Sequence, residues 1–245
     1  MSKKYKGKTC VYCCVTTSDT ADRVFSKQLF IETRRSDLPI VPACKSCNEE
    51  KSKLEHYVTA VLPFGGRHPD ATMNLESMVP KRLEKNMPLH ASLNRGSRRF
   101  WVRKRGLLTR AGALPLVWPK IEQWVVYLVK GLAWHHWTVL IAPDTTIDVI
   151  ALTPHGERFI QRLFTKPAAE RVHEDVGSGT FLYEAAQGID SPQVSIWRFS
   201  LYGGITMAGG FTAPRQTARR IGVYVVPKFT IDQISNDEPG VKAKT

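Results

Sequence analysis

Two Cys-x-x-Cys pairs constrain this chain more than any other feature: Cys10 with Cys13 and Cys44 with Cys47, with thirty residues between the pairs. Two thiolates two residues apart on a tight turn can each reach one tetrahedral Zn²⁺ at about 2.3 Å, and a second such turn fills the coordination shell. Four sulfur ligands leave no open position. The spacing therefore reads as a structural zinc whose binding free energy, on the order of 10–16 kcal/mol in small zinc modules, becomes folding free energy. The alternatives are two disulfides or four ordinary buried thiols. The opening Met-Ser-Lys-Lys-Tyr-Lys-Gly-Lys is basic with no apolar run behind it, so the chain is expected to be cytoplasmic, where disulfides are rare. Cys14, beside the first pair, receives no role.

Composition enters through charge. The net charge is +13, and from Lys81 to Arg110 ten Lys or Arg face the single acid Glu84. A polyanionic partner is the natural expectation for such a stretch. Inside it Arg98-Arg-Phe-Trp-Val-Arg-Lys-Arg105 interleaves aromatic and basic residues. That pattern suits phosphate contacts by Arg98, Arg99, Arg103, Lys104 and Arg105, with Trp101 free to stack on a base. A solvated charged surface is the bland alternative. The hydrophobic share of 42% excludes a disordered polyelectrolyte. In the most apolar stretch, from Ile121 to Ala142, charged and His residues interrupt every run before it reaches the ~18 residues of a membrane span.

Three segments follow from the patterning. Residues 1–62 hold the cysteines, a short alternating run at Asp22–Lys27, a proline-marked edge segment Leu38–Ala43, and a helix after Cys47. In that helix Leu54, Val58 and Val61 recur on one face, while Asn48, Ser52, Glu55 and His56 share another. Residues 63–115 form a basic arm rich in Gly, Pro and Arg, expected as short helices broken at Pro80 and Pro88. Residues 116–245 open with a helix from Pro119 and continue as β-rich runs at Thr138–Ala142, Ile147–Leu152, Thr180–Ala186, Val194–Leu201 and Ile221–Val226. The expected class is α+β, with a C-terminal unit of one long helix on an antiparallel sheet. His135 and His136 are read as helix C-terminal residues, and the role of this unit is left open.

The first segment resembles the HNH endonucleases in their four-cysteine, zinc-clipped version. Asp22 matches the acid on the first strand, Asn48 the His/Asn that follows Cys-x-x-Cys, and Lys51 the helix Lys. The resemblance implies a ββα-metal module and one-metal hydrolysis of DNA, with Asp22 and Asn48 holding a divalent cation such as Mg²⁺. Lys51 is implied at the nucleic acid. Two positions depart from the pattern. Arg23 stands where the family has its catalytic His, and no Asn lies between Ser36 and Ala43, Asp37 being the nearest polar residue. A guanidinium stays protonated and cannot act as a base, although it can clamp a phosphate. His56, two helical turns past Asn48, is the nearby substitute base; packing or exposure is its commoner role. The expected function is thus an HNH-type endonuclease acting on DNA, with RNA left open, weakened or silenced by Arg23. The alternatives are a non-cleaving zinc-stabilised nucleic-acid-binding protein and, third, an adaptor for protein partners.

Overall fold

The computed structural model describes residues 3–104, 106–207 and 217–226. The N-terminal segment is a two-stranded antiparallel ribbon and a helix: β1 (Thr20–Arg23), β2 (Ile40–Ala43) and α1 (Lys45–Val61). The arm carries α2 (Pro69–Ser77), α3 (Val79–Lys85) and α4 (Met87–Gly96), then a hairpin of β3 (Arg98–Lys104) and β4 (Leu107–Ala113). Pro80 and Pro88 both sit in the first turns of their helices, where the missing N–H costs nothing, so they start α3 and α4 as much as they end what precedes.

The long helix α5 (Trp118–Trp137) comes next, followed by β5 (Thr146–Ala151), α6 (Pro154–Phe164), β6 (Arg171–Val176), β7 (Phe181–Gln187) and β8 (Ser195–Leu201). The short pair β9 (Ile205–Met207) and β10 (Thr217–Arg219) precedes β11 (Ile221–Val226). Five strands form one antiparallel sheet in the order β5-β11-β8-β7-β6. The expected class, α+β with an antiparallel sheet behind a long helix, is what the chain adopts. Among the described residues no helix is long and apolar enough to cross a membrane.

Alternation along the strands sorts the sheet into two faces. Phe181, Trp197, Phe199 and Val223 are buried on one face, where Trp124, Val125 and Leu128 of α5 close over Phe181, Phe199 and Ile221. Ile196 and Tyr224 point the other way and pack with Ile160 and Phe164 of α6. One expected strand does not form. Thr138 closes α5 in the left-handed region at φ 56°, and the chain to Ala142 is irregular. Ile141 is buried there, and its carbonyl accepts a contact from Cys14 Sγ at 3.2 Å. Ile141 is thus buried beside the first knuckle and Val139 packs against the main apolar cluster, with neither in a sheet.

A single apolar cluster runs from Cys10 and Cys44 through Tyr57, Trp124 and Phe181 to Val225. The ribbon docks on α5 because Gly131 leaves room for Val24: a Cβ at Gly131 would lie 2.8 Å from Val24 Cγ2. Phe25, just past β1, meets Phe181 of the sheet with ring centroids 4.7 Å apart. Tyr12 of the first knuckle packs edge-on to Tyr127 of α5 at 4.9 Å, and Lys130 Nζ donates to Tyr12 O at 2.8 Å. Arg34 also binds Asp70 of α2 at 3.0 Å, while Thr180 donates to the same carboxylate at 2.5 Å, tying three distant segments at one buried acid.

Candidate metal centre and basic cleft

The first knuckle is shaped by backbone hydrogen bonds. Cys10 N donates to Thr16 O at 2.8 Å and Cys14 N to Cys10 O at 2.9 Å, folding the chain so that Cys10 and Cys13 face one point. The second pair is delivered by a helix start, with Cys44 at the N-cap of α1 and Cys47 in its first turn. Val11 N donates to Pro42 O at 3.1 Å and draws the two halves together. All four sulfurs are free thiols lying within 4.8 Å of one another, and Cys13 Sγ is 4.0 Å from Cys44 Sγ. A tetrahedron with metal–sulfur bonds of about 2.3 Å has edges of about 3.8 Å. The cluster fits a metal ion such as zinc.

The electrostatics of the thiols point the same way. Burial pushes the Cys10 thiol up. Cys47 is also pushed up, by burial first, then by its hydrogen bond with Cys44 and by the neighbouring sulfurs. At Cys13 burial opposes ionisation, but hydrogen bonds from the Thr16 side chain and the amides of Thr16 and Val15 hold the thiol down at about 6. Four thiolates this close repel one another, and a divalent cation among them removes the repulsion.

Asp22 and Lys51 are brought together under the helix. Thr20 and Asp22 alternate on the face of β1 that meets α1. Asn48 Nδ2 donates to Thr20 Oγ1 at 3.3 Å. Asp22 Oδ2 accepts from Tyr12 OH at 2.5 Å and lies 2.9 Å from Lys51 Nζ. The same ammonium is 2.6 Å from Glu55 Oε1 and donates to Arg23 O at 2.7 Å. Lys51 therefore departs from its expected place at the nucleic acid: its side chain is 1% exposed, and its three N–H donors are matched by three acceptors. It clamps β1 to α1. Burial raises the Glu55 carboxyl above its ordinary range, against the pull of the Lys51 charge. Burial and the Asp22 charge together raise the Tyr12 phenol.

Arg23 follows Asp22 in the strand, so its side chain leaves from the opposite face. It is exposed and lines an open cleft of about 620 Å³ with Lys4, Lys27, Arg35, Tyr5 and Trp134. The acid on that wall is Asp37, held at φ 56°. His56 is exposed on α1, five residues past Lys51 and so about 140° around the helix from it. The expected catalytic set is thus divided. Asp22 and Asn48 lie on the helix side of the ribbon, Arg23 faces the basic cleft, and His56 faces solvent. In the arm, Arg98, Arg99, Trp101 and Arg103 are exposed on β3 and Lys104 ends that strand; Arg105 lies outside the described residues.

No protein-family model, no curated protein and no solved structure matches this chain. The site therefore rests on its own chemistry. Sequence reasoning missed Tyr12 and Glu55 as partners of the buried pair, although Glu55 at i+4 from Lys51 was a usable signal. It also missed the cleft, whose cations and rings come from segments as distant as Lys4 and Trp134. No local pattern carries that convergence.

Proposed function

We propose that this chain is an HNH-like, zinc-clipped protein that binds nucleic acid, with DNA as the first candidate, and that hydrolyses phosphodiester bonds weakly or not at all. Zn²⁺ held by Cys10, Cys13, Cys44 and Cys47 would fix the two knuckles and supply no chemistry, since four sulfurs leave no place for substrate. The observation that carries the reading is Arg23: it is exposed and stands in a cleft with Lys4, Lys27 and Arg35, while its neighbour Asp22 is engaged by Tyr12 and Lys51. Planar guanidinium groups clamp phosphate oxygens bidentately, and Tyr5 and Trp134 supply ring faces beside them. The cleft lining offers two groups that could take a proton, the Asp37 carboxylate and His135, whose imidazole burial holds down.

Two measurements on the zinc-loaded protein test this. Binding to a linear duplex should weaken steeply with salt, and Arg23→Ala should lower the slope of log K against log[salt] by about 1. Supercoiled plasmid with Mg²⁺, Mn²⁺ or Ni²⁺ should stay largely intact. Salt-dependent binding that Arg23→Ala leaves unchanged would remove the cleft from the reading. Rapid metal-dependent nicking abolished by Asp22→Ala would establish the hydrolase instead. Nicking that appears only in Arg23→His, gaining ~10²–10⁴-fold, would show a nuclease site lacking just its base.

A further inference from the structure

Building on the nucleic-acid reading, we infer that the β3–β4 hairpin is a recognition ribbon that lies in the major groove of B-form duplex DNA. The strands pair over seven residues, from Arg98 opposite Ala113 to Lys104 opposite Leu107. Gly106, at φ 82°, supplies the turn conformation that other residues adopt only at a cost. The two strands pack chiefly on each other. At about 3.4 Å per residue the ribbon extends roughly 24 Å, and with its strands about 4.8 Å apart it matches a groove about 12 Å wide. The minor groove, about 6 Å wide, is too narrow for it.

The side chains suit that occupant. Residues 98–113 contain six Arg or Lys and no acid. Arg99, Trp101 and Arg103 alternate and share one face of β3, spaced about 6.8 Å apart, which is two base-pair steps at about 3.4 Å each. All three are exposed, and neither arginine makes an ion pair among the described residues. Trp101 is 68% exposed, Leu107 73% and Leu108 70%. Leu108 lies opposite Arg103 and so shares the face of Arg99, Trp101 and Arg103, whereas Leu107 leaves from the other face; a merely solvated charged surface does not account for Trp101 and Leu108 beside those arginines. The major-groove edge answers both kinds: arginine pairs bidentately with guanine, and apolar groups meet the thymine methyl. A lipid surface requires apolar and charged side chains on opposite sides of the element, whereas here Trp101 stands between Arg99 and Arg103.

The test compares affinities of the full chain for an unmodified B-form duplex, the same duplex carrying bulky groups at pyrimidine C5, an RNA duplex, a single strand, and anionic phospholipid vesicles. The C5 groups fill the major groove, and A-form RNA presents one too deep and narrow for a ribbon. The inference expects the unmodified duplex to be bound best, with at least tenfold loss on C5 modification. It also expects Arg99→Ala with Arg103→Ala to lower the salt slope by about 2, and the paired Arg→Lys changes to keep it. Zinc content and circular dichroism establish that each variant is folded. Duplex binding that is indifferent to C5 groups and to the Ala pair would overturn the ribbon while leaving the Arg23 cleft standing. A preference for single strands or RNA would overturn it equally. Binding to vesicles and to no nucleic acid would overturn both readings.

Discussion

Lys51→Met is the most informative single change, because the sequence and the structure give it opposite meanings. As a phosphate ligand, Lys51 would contribute about one unit of salt slope and little stability. As built, its ammonium is 1% exposed and lies 2.9 Å from Asp22 and 2.6 Å from Glu55. Removing it leaves two carboxylates without their counter-charge and the Arg23 carbonyl without its donor beneath α1. Breaking a buried pair from one side costs about 3–5 kcal/mol. The orphaned carbonyl falls inside that figure, since coupled groups do not add. Against a total stability of about 5–15 kcal/mol for a typical protein, this is a large fraction.

The loss should be pH-dependent. Glu55 is already raised by burial, and without Lys51 the charge pulling it down is gone. A carboxyl whose folded pKa lies above its unfolded value binds more protons in the folded state, so stability is regained as pH falls through the folded pKa toward 4.5. The gap between variant and wild type should therefore narrow in acid. Urea unfolding of zinc-replete proteins, followed by circular dichroism at neutral and mildly acid pH, measures it. Adding Asp22→Asn and Glu55→Gln to Lys51→Met should recover most of the loss, because neutral groups need no counter-charge. A neutral-pH deficit under about 1 kcal/mol, or a gap that widens in acid, would refute the buried-clamp account. So would a salt slope that falls by one unit in the folded variant.

Two further outcomes are expected. Elemental analysis should find one zinc per chain, and Cys44→Ser should lower the melting temperature of the whole protein, because Cys44 belongs to the same apolar cluster as Trp124 and Phe181; zinc-free wild type, or a variant melting like wild type, would contradict this. Burial, and then the charge of His135, pushes His136 down from 6.5 to about 4, so its contribution to stability is full above pH 6.5 and is lost as pH falls toward 4. His136→Gln should flatten that acid limb in unfolding measurements relative to wild type, whereas parallel curves would show that His136 does not titrate this way.

The sequence by itself determined the elements whose signals are local. Two Cys-x-x-Cys pairs specify a clip because ligand geometry tolerates few spacings, and the stripe from Ile121 to Leu132 specifies a helix because its period is 3.6 residues. Alternation likewise located β7, β8 and β11 within a residue or two. The arm was legible as basic, but its shape was not. Arg98–Arg103 reads Arg-Arg-Phe-Trp-Val-Arg, with no period-two alternation of polar and apolar residues, so its pairing with Leu107–Ala113 shows only in three dimensions.

Tertiary structure alone decided the roles of the charged residues. Asp22 and Arg23 are neighbours in the chain, yet strand geometry sends one beneath α1 and the other into the basic cleft. Lys51 and Arg23 are both cations in the same segment, and only packing makes the first a buried clamp and the second an exposed side chain lining the basic cleft. The physical reason is that a charge's function depends on its desolvation and its partners. Both are set by which distant segments converge on it, as Lys4 and Trp134 converge on Arg23, and no spacing along the chain encodes that convergence.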